Sequence, residues 1–339
     1  MLPEGLLLPQ GYVDRLDIRQ TERAIAPLKR TFEAHLAANL NLSRVSAPLF
    51  VSKASGLNDN LSGVERPVAF CVPGLGDEAC EVVQSLAKWK RMALARYGFA
   101  PGEGLYTDMN ALRADETRLD NIHSVYVDQW DWEKVITPAQ RSLDTLKDTV
   151  RAIYAAIVAT QQALAAEYPQ LQAYLPGEIT FIHSQDLLNE FPGLPADKRE
   201  DAACRKYGAV FIIGIGGPLS DGLSHDDRAP DYDDWSLNGD LLIWYPVLGR
   251  AIELQSMGVR VDALTLQAQL AAKAQMQRLE LPFHRALING ELPQTIGGGI
   301  GQSRMSMILL QKAHIGQVQA SLWPQESVTA LRDVGIELL

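Results

Sequence analysis

The chain has 339 residues, 47% of them hydrophobic and 21% charged, a balance that excludes long disordered stretches and suffices for one large core or two modest ones. Its 41 acidic and 31 basic residues give a net charge of −10. A surface of that sign repels phosphate backbones and anionic lipid, which argues against nucleic acid and membrane as main partners but not against a local basic pocket. Cys71, Cys80 and Cys204 are too few and too scattered for a disulfide framework or a zinc site, and a reducing cytoplasm fits them best. The opening Met1-Leu-Pro-Glu-Gly-Leu-Leu-Leu-Pro9 has no basic start and reads as neither signal peptide nor membrane span.

In chain order, helical spacing of apolar residues predicts a first helix over 20–40, with Thr21 as its N-cap. A strand-like segment from Leu42 to Val51 follows, broken at Pro48. Residues 79–96 read as a second helix carrying Ser85, Lys88 and Lys90. The longest helix is expected from Pro138 to Tyr168, with Thr137-Pro138 as cap and first turn, an apolar stripe through Leu143, Leu146, Val150, Ile153 and Ile157, and Pro169 as its stop. Strand candidates are Ile122–Trp130, Ile179–Ile182, Ala209–Gly214, Leu241–Tyr245 and Ile252–Val261. Turns and polar loops separate several of them, so the expected fold is α+β, a mostly antiparallel sheet flanked by helices. No repeat or Gly/Ser/Pro linker divides the chain.

Four stretches carry chemistry. Gly297-Gly-Gly-Ile-Gly-Gln-Ser-Arg304 opens an apolar helix with glycines, which let a ligand approach the backbone, and places an arginine fork in its first turn. A tight turn packing helix on sheet is the alternative for this run alone. On the segment Ser124–Glu133, strand alternation puts Gln129, Asp131 and Glu133 on one face, opposite Trp130 and Trp132. Two carboxylates and an amide on one face need partners, which a ligand or solvent supplies. Asp221–Asp240 holds seven aspartates in twenty residues with Arg228 among them. This suggests magnesium and an ammonium group as partners, or an acidic surface loop. In the stretch from Ala251 to Asp262, Glu253 and Arg260 offer a cation site and an anion site, or a surface ion pair.

Together these residues resemble the catalytic core of class II aminoacyl-tRNA synthetases, especially the aspartyl and asparaginyl branch. Residues 25–62, with Pro48, look like the first class motif, which lies at a dimer interface. Gln84-Ser85…Lys90 looks like the branch's Gln-Ser-x-x-x-x-Lys stretch. Arg113…Glu116 with Gln129-x-Asp131-x-Glu133 looks like the second motif, Glu253…Arg260 has the branch's spacing, and Gly299-x-Gly-x-x-Arg304 looks like the third. The phrases His123-Ser-Val-Tyr-Val-Asp-Gln-Trp-Asp-Trp-Glu133, Arg228-Ala-Pro-Asp-Tyr-Asp-Asp-Trp-Ser236, Leu237-Asn-Gly-Asp240, Gln294–Arg304, Asp59-Asn-Leu-Ser-Gly63 and His314–Ala320 are more closely similar to the ammonia-dependent asparagine synthetases, the bacterial aspartate–ammonia ligase family.

The resemblance implies an N-terminal extension (1–20), one catalytic domain (21–339), a homodimer, and synthesis of asparagine from aspartate, ammonia and ATP through β-aspartyl-AMP. It implies that Arg113 and Arg304 hold the nucleotide and act with Lys90 in catalysis. Asp240 and Glu253 would bind Mg²⁺ at the phosphates. Ser85, Lys90, Gln129, Asp131, Arg228, Asp233, Ser256 and Arg260 would grip aspartate, and Asp59 lies where an ammonium could be drawn in. Val127 stands where the synthetases stack an aromatic on adenine, which leaves that contact open, and Tyr126 should face the other way. A tRNA-charging relative would need an anticodon-binding domain, for which about twenty residues before the first motif leave no room. A silent regulatory dimer would be expected to lose the arginines at 113 and 304.

Overall fold

A computed structural model describes residues 3–58, 61 and 65–339. Helix α1, Ile18–Leu40, starts two residues earlier than its spacing suggests: Asp17, not Thr21, caps it, in a reciprocal box with Gln20, and Thr21 is a buried position inside it. Its buried residues Thr21, Ala24, Leu28, Phe32, Leu36 and Leu40 recur every three or four positions, and Asn41 ends it in the left-handed conformation. The segment broken at Pro48 divides into β1 (Leu42–Arg44) and β2 (Phe50–Ser52), which join different sheets.

The second expected helix is half strand. The Ala79–Val82 run belongs to β4 (Glu78–Val82), held between β2 and β3 (Ala69–Val72). Only Ala87–Tyr97 is helical (α2), and Ser85 lies in the turn before it. Strand β5 (Gly104–Leu112), unforeseen in the sequence, precedes β6 (Tyr126–Val135). The longest helix, α3, spans Leu143–Glu167 with Ser142 as its cap; Pro138–Gln140 is a separate 3-10 turn, interrupted where Arg141 adopts φ −76°, ψ 76°. There follow β7 (Thr180–His183), α4 (Ser184–Glu190), α5 (Ala196–Tyr207), β8 (Ala209–Ile213), β9 (Asp233–Tyr245) and β10 (Arg250–Arg260). The chain closes with α6 (Ala263–Ala272), α7 (Pro282–Ile288), β11 (Thr295–Gly301), α8 (Gln302–Leu309) and α9 (Gln325–Asp333).

Among the described residues, eight strands form one sheet in the order β1-β5-β6-β11-β10-β9-β8-β7. The edge strands β1 and β7 pair in parallel and every pair between them is antiparallel, so the α+β reading holds. One face is apolar. Trp130 and Trp132 of β6, Ile252, Leu254, Met257 and Val259 of β10, and Ile296 and Ile300 of β11 meet Leu28, Phe32 and Leu36 of α1 and Val150, Ile153 and Ile157 of α3. Fully burying each such side chain contributes roughly 1.5–3 kcal/mol, so this layer is what fixes the strands' orientation. Alternation then obliges the intervening residues of β6, β10 and β11 to point to the other face.

The expected extension is packed into the body. Leu6 and Leu16 are buried, and Lys312 reaches Asp14 Oδ1 at 2.6 Å and the Leu16 carbonyl at 2.7 Å. No helix among the described residues is long and apolar enough to cross a membrane.

His314, fully buried beside Trp323, accepts the Gly316 N–H at Nδ1 (3.0 Å), so its proton sits on Nε2, which has no partner. Burial pushes its pKa down to about 4. A folded-state pKa below the unfolded value of ~6.5 means stability present above pH 6.5 and lost as pH falls toward 4, about 3 kcal/mol in all at 1.36 kcal/mol per unit. Urea unfolding across that window should show His314→Asn, which keeps an acceptor for Gly316, losing less stability on acidification than the parent. Equal slopes would exclude His314 as the titrating group.

Candidate active site

The polar face of the large sheet opens into a cavity of about 380 Å³. Lining it are Ser85 and Lys90 from the α2 region, Arg113 from the end of β5, Gln129 and Asp131 of β6, Arg228 and Asp233 around the start of β9, Glu253, Ser256 and Arg260 of β10, and Arg304 of α8. Every described residue given a binding or catalytic role in the sequence reading therefore lines one cavity, except Asp240; Glu133, on the face with Gln129 and Asp131, is buried behind it. The Asp240 carboxylate is one shell back, accepting a hydrogen bond from the Ser256 hydroxyl. Asp59 lies outside the described residues.

At one end the charges are balanced. Glu133, fully buried, accepts from Arg260 Nε and Nη2 at 2.8–3.0 Å and from Thr295 Oγ1 at 2.7 Å. Arg260 Nη1 donates to Asp233. Lys90 is equally committed, donating to Asp131 and to the carbonyls of Trp132 (3.0 Å) and Gly298 (3.2 Å). Burial pushes the Glu133 carboxyl up, but Arg260 and Lys90 more than offset this and hold it below the usual carboxylate range. Tyr232 lies between two guanidinium groups, those of Arg228 and Arg260, with ring distances of 5.8 and 6.0 Å. Arg228 also donates to Ser256 Oγ at 3.1 Å.

The other end brings two arginines together, with Glu253 and Glu116 also in its lining. Arg113 lies near Arg304, and burial together with that neighbouring charge pulls its pKa below the ordinary arginine value. Its Nε is buried without a hydrogen-bond partner. Arg304 Nη1 donates to the Glu253 carbonyl at 2.7 Å and lies 3.5 Å from the Glu253 carboxylate. Two crowded guanidinium groups, one with an unmet donor, have the chemistry to take up an anionic group.

Between the ends stand Glu253 and Asp240, bridged by Ser256 Oγ. A register shift between Glu253 and Gln255 breaks the alternation of β10, which is what places Glu253 on the same face as Ser256. Burial and the Glu253 carboxylate push Asp240 well above the usual carboxylate range. Glu253 is raised by burial too, but Arg304, Arg228 and Arg113 bring it below its ordinary value. Its side chain keeps 44% exposure toward the cavity, so solvent screens part of that effect. A carboxylate pair that disfavours double ionisation is a fit place for a divalent cation. No cluster of three or more His, Cys, Asp or Glu side chains suited to a metal occurs among the described residues, so such a cation would need ligand oxygens too.

The glycine run corrects the sequence reading. It is a strand, β11, and its missing side chains make room for protein groups: a Cβ on Gly297 would lie 2.0 Å from Glu133 Oε2, and one on Gly299 would lie 2.2 Å from Gln129 Oε1. Arg304 does lie in the first turn of the following helix, as expected. The acidic stretch is likewise no surface loop where it counts, since Asp231, Asp233, Asp234 and Asp240 are buried. Tyr126 and Val127 both line the cavity, although opposite faces were expected for them.

Sequence reasoning missed Gln84, Asp128 and Gln319. Gln84 is buried in the cavity wall with neither end of its amide partnered. Asp128 accepts from Ser303 N (3.0 Å) and Ser303 Oγ (2.8 Å), and Gln319 donates to Ser303 Oγ at 2.9 Å. Gln84 and Gln319 stand within phrases already singled out, Gln84-Ser85 and His314–Ala320, which were the available signal.

This sheet, its flanking helices and the two-ended cavity define a class II synthetase-type catalytic domain. Asparaginyl-tRNA synthetase from Pyrococcus horikoshii, in a complex with asparaginyl-adenylate, superposes with a TM-score of 0.65 at 16% identity, covering 91% of this chain and 71% of that one. The Entamoeba histolytica enzyme gives 0.63 at 15%, covering 89% and 67%. The aspartate–ammonia ligase family model matches residues 19–335. Aspartate–ammonia ligases from Clostridium perfringens and Ruminiclostridium cellulolyticum are 57% and 56% identical, each over 99% of this chain and over 100% and 99% of their own lengths. The chain belongs to the aspartate–ammonia ligase family and is an enzyme of that family.

The space beneath Glu133 gives a direct test. Gly297→Ala should destabilise the fold by about 3 kcal/mol, the upper part of the range for forced overpacking, because the Cβ meets a charge pair that cannot retreat. Gly193→Ala, where a Cβ meets nothing within 4 Å, should change stability by less than about 0.5 kcal/mol in the same denaturant titration.

Proposed function

We propose that this enzyme makes L-asparagine from L-aspartate and ammonia by way of a β-aspartyl adenylate, releasing AMP and pyrophosphate. Family membership supports the overall reaction, and one observation carries the route: Arg113 and Arg304 crowd together at one end of the cavity with a donor unmet, while the other end is a charge-balanced amino-acid pocket. The β-carboxylate oxygen of aspartate attacks the α-phosphorus of ATP as the bond to the β-phosphate oxygen breaks, and pyrophosphate leaves with that electron pair. Ammonia then adds to the β-carbonyl carbon, the C–O bond to AMP breaks, and the nitrogen loses a proton.

In this reading Arg113 holds the α-phosphate as its charge grows and Arg304 clamps the nucleotide. Lys90, Gln129, Asp131, Arg228, Asp233, Ser256 and Arg260 orient aspartate, with Ser85 at the rim, and Asp59 draws in ammonium. Asp240 and Glu253 would hold Mg²⁺, which supplies charge neutralisation at the phosphates. A homodimer in the cytoplasm, with neither nucleic acid nor membrane as partner, completes the proposal. It is supported by the class II resemblance around Pro48 and by the −10 net charge. Incubation with aspartate, ammonium and Mg-ATP should give asparagine, AMP and pyrophosphate in equal amounts. ADP and orthophosphate would rule out attack at the α-phosphorus.

Aspartate must present its β-carboxylate to ATP, so its α-carboxylate falls to Arg260. Three of that guanidinium's five N–H groups are engaged by Glu133 and Asp233, leaving one on each terminal nitrogen. Removing the charge would strand two buried carboxylates, so the informative change is Arg260→Lys, which keeps charge but not the fork. Loss of a charge-assisted contact of about 2 kcal/mol should raise the KM for aspartate about 30-fold, with the KM for ATP little changed. β-Alanine, which lacks the α-carboxylate, should be a poor substrate for both forms. An equal penalty on β-alanine and aspartate would refute the assignment.

A further inference from the structure

The aspartate pocket depends on a segment with little regular structure. Residues 226–232 precede β9, and they deliver Arg228 and Tyr232 to the cavity, followed by Asp233. Asp231 points the other way. It is fully buried, is absent from the cavity wall, and gathers three elements at one oxygen, Oδ2: it accepts from Arg278 of the 3-10 turn Met276–Glu280 (2.9 Å) and from His284 of α7 (2.9 Å), and forms an ion pair with Lys88 of α2 (3.0 Å). The His284 Nδ1 has no partner, which leaves Nε2–H as the donor. Burial alone would push this carboxyl up, yet Lys88, His284 and Arg278 hold it far below the usual carboxylate range.

A buried cluster of this kind is a poor way to gain stability, because the desolvation of each ion opposes the attraction between them. Its geometric demands are strict, since a donor displaced by an ångström leaves a charge unpaired. The surroundings make such a restraint consequential. A second cavity, of about 190 Å³, is bordered by Lys88 and Arg278 together with Lys53, Asn58, Glu81 and Leu281, so the cluster is not packed solid from that side. Lys88 also stands two residues from Lys90, on the helix that sends Lys90 into the active site against Asp131. The Asp231–Lys88 contact therefore ties the Arg228–Asp233 side of the pocket to the Lys90 side.

We infer that Asp231 is a positioning residue for the aspartate pocket: anchored to Lys88, Arg278 and His284, it sets the distance between Arg228 and Asp233 on one side and Lys90 on the other. The inference rests on the reading of Arg228 and Asp233 as the aspartate site. Asp231→Asn should raise the KM for aspartate at least tenfold, with kcat falling less than threefold and the KM for ATP staying within twofold. Arg278→Met, which removes one donor and spares the charge of Asp231, should move the aspartate KM about threefold in the same direction and stands in if Asp231→Asn does not fold. In the double variant, removing Arg278 relieves an unpaired buried cation, so thermal stability should partly recover while the aspartate KM does not. Recovery of both together, an unchanged aspartate KM in Asp231→Asn, or a parallel rise in the KM for ATP would overturn the inference. Arg228→Lys separates the two levels. If it leaves the aspartate KM unchanged, the pocket reading fails and the inference with it; if it raises that KM while Asp231→Asn does not, only the inference fails.

Discussion

Glu133 and Arg260 meet in the interior of the large sheet, and much of the molecule is arranged around the cost of keeping them there. Neither side chain is exposed enough for water to carry its charge. The carboxylate is therefore served by one edge of the guanidinium, Nε and Nη2, and by Thr295, and the remaining Nη1 by a second carboxylate, Asp233. Breaking a buried pair of this kind by removing one partner costs about 3–5 kcal/mol. That requirement explains the glycine at 297, whose Cβ position would collide with Glu133; a Cβ at Gly258 would meet Asn238 first, at 2.8 Å, and crowd Asp233 at 3.0 Å. It also explains why β6, β10 and β11 are adjacent, since each supplies part of one network.

The opposite face of the same strands supplies the rigidity. Trp130 and Trp132 alternate with Gln129, Asp131 and Glu133, so packing that fixes the tryptophans against α1 fixes the polar side chains by the same backbone. Trp130 is doubly held, in ring contact with Phe32 at a centroid distance of 4.6 Å and donating to Glu33 at 2.9 Å. Preorganisation of this kind lets charged groups act without rearranging as charge develops in a reaction.

How much of this was legible depended on the range of the interaction involved. The alternation in β6 and the stripes of α1 and α3 were readable, because a period of 2 or 3.6 is a local property. The α+β class follows from the turns and polar loops that separate several of the strand candidates. Strand β5 was not readable: Thr107, Asp108 and Asn110 interrupt its apolar residues, and its identity comes from pairing with β6. The glycines of β11 announced that space was needed but not for whom, since the neighbouring Thr295 meets Glu133 across 162 residues of chain. Among the aspartates of 221–240, nothing local separates the exposed Asp226 and Asp227 from the fully buried Asp231; that distinction appears only when α2 and α7 arrive. The roles of individual pocket residues came from the family resemblance and not from periodicity, which could say only that they shared a face.

A chain with a net charge of −10 nevertheless brings two arginines together inside a cavity, and the range of its fields reconciles the two. Fields from exposed charges are screened within about 8–10 Å at physiological ionic strength, so the acidic surface acts weakly on a group inside the cavity. Local balance decides what the cavity attracts. At the Lys90–Arg260 end, Asp131, Glu133 and Asp233 neutralise the cations, leaving a polar pocket suited to an amino acid that carries charges of both signs. At the Arg113–Arg304 end, Glu253 and Glu116 face the arginines, while Asp240, the partner of Glu253, is pushed toward the neutral form, so two carboxylates and not three oppose the two cations. On the proposed reading of Asp240 and Glu253 as a Mg²⁺ site, a divalent cation would favour ionisation of Asp240 and add positive charge beside the proposed phosphate site. On that reading the same two carboxylates, once paired with the cation, would increase the pull of that end on a nucleotide. Charge at that end thus follows what is bound, whereas charge at the amino-acid end is set by the fold.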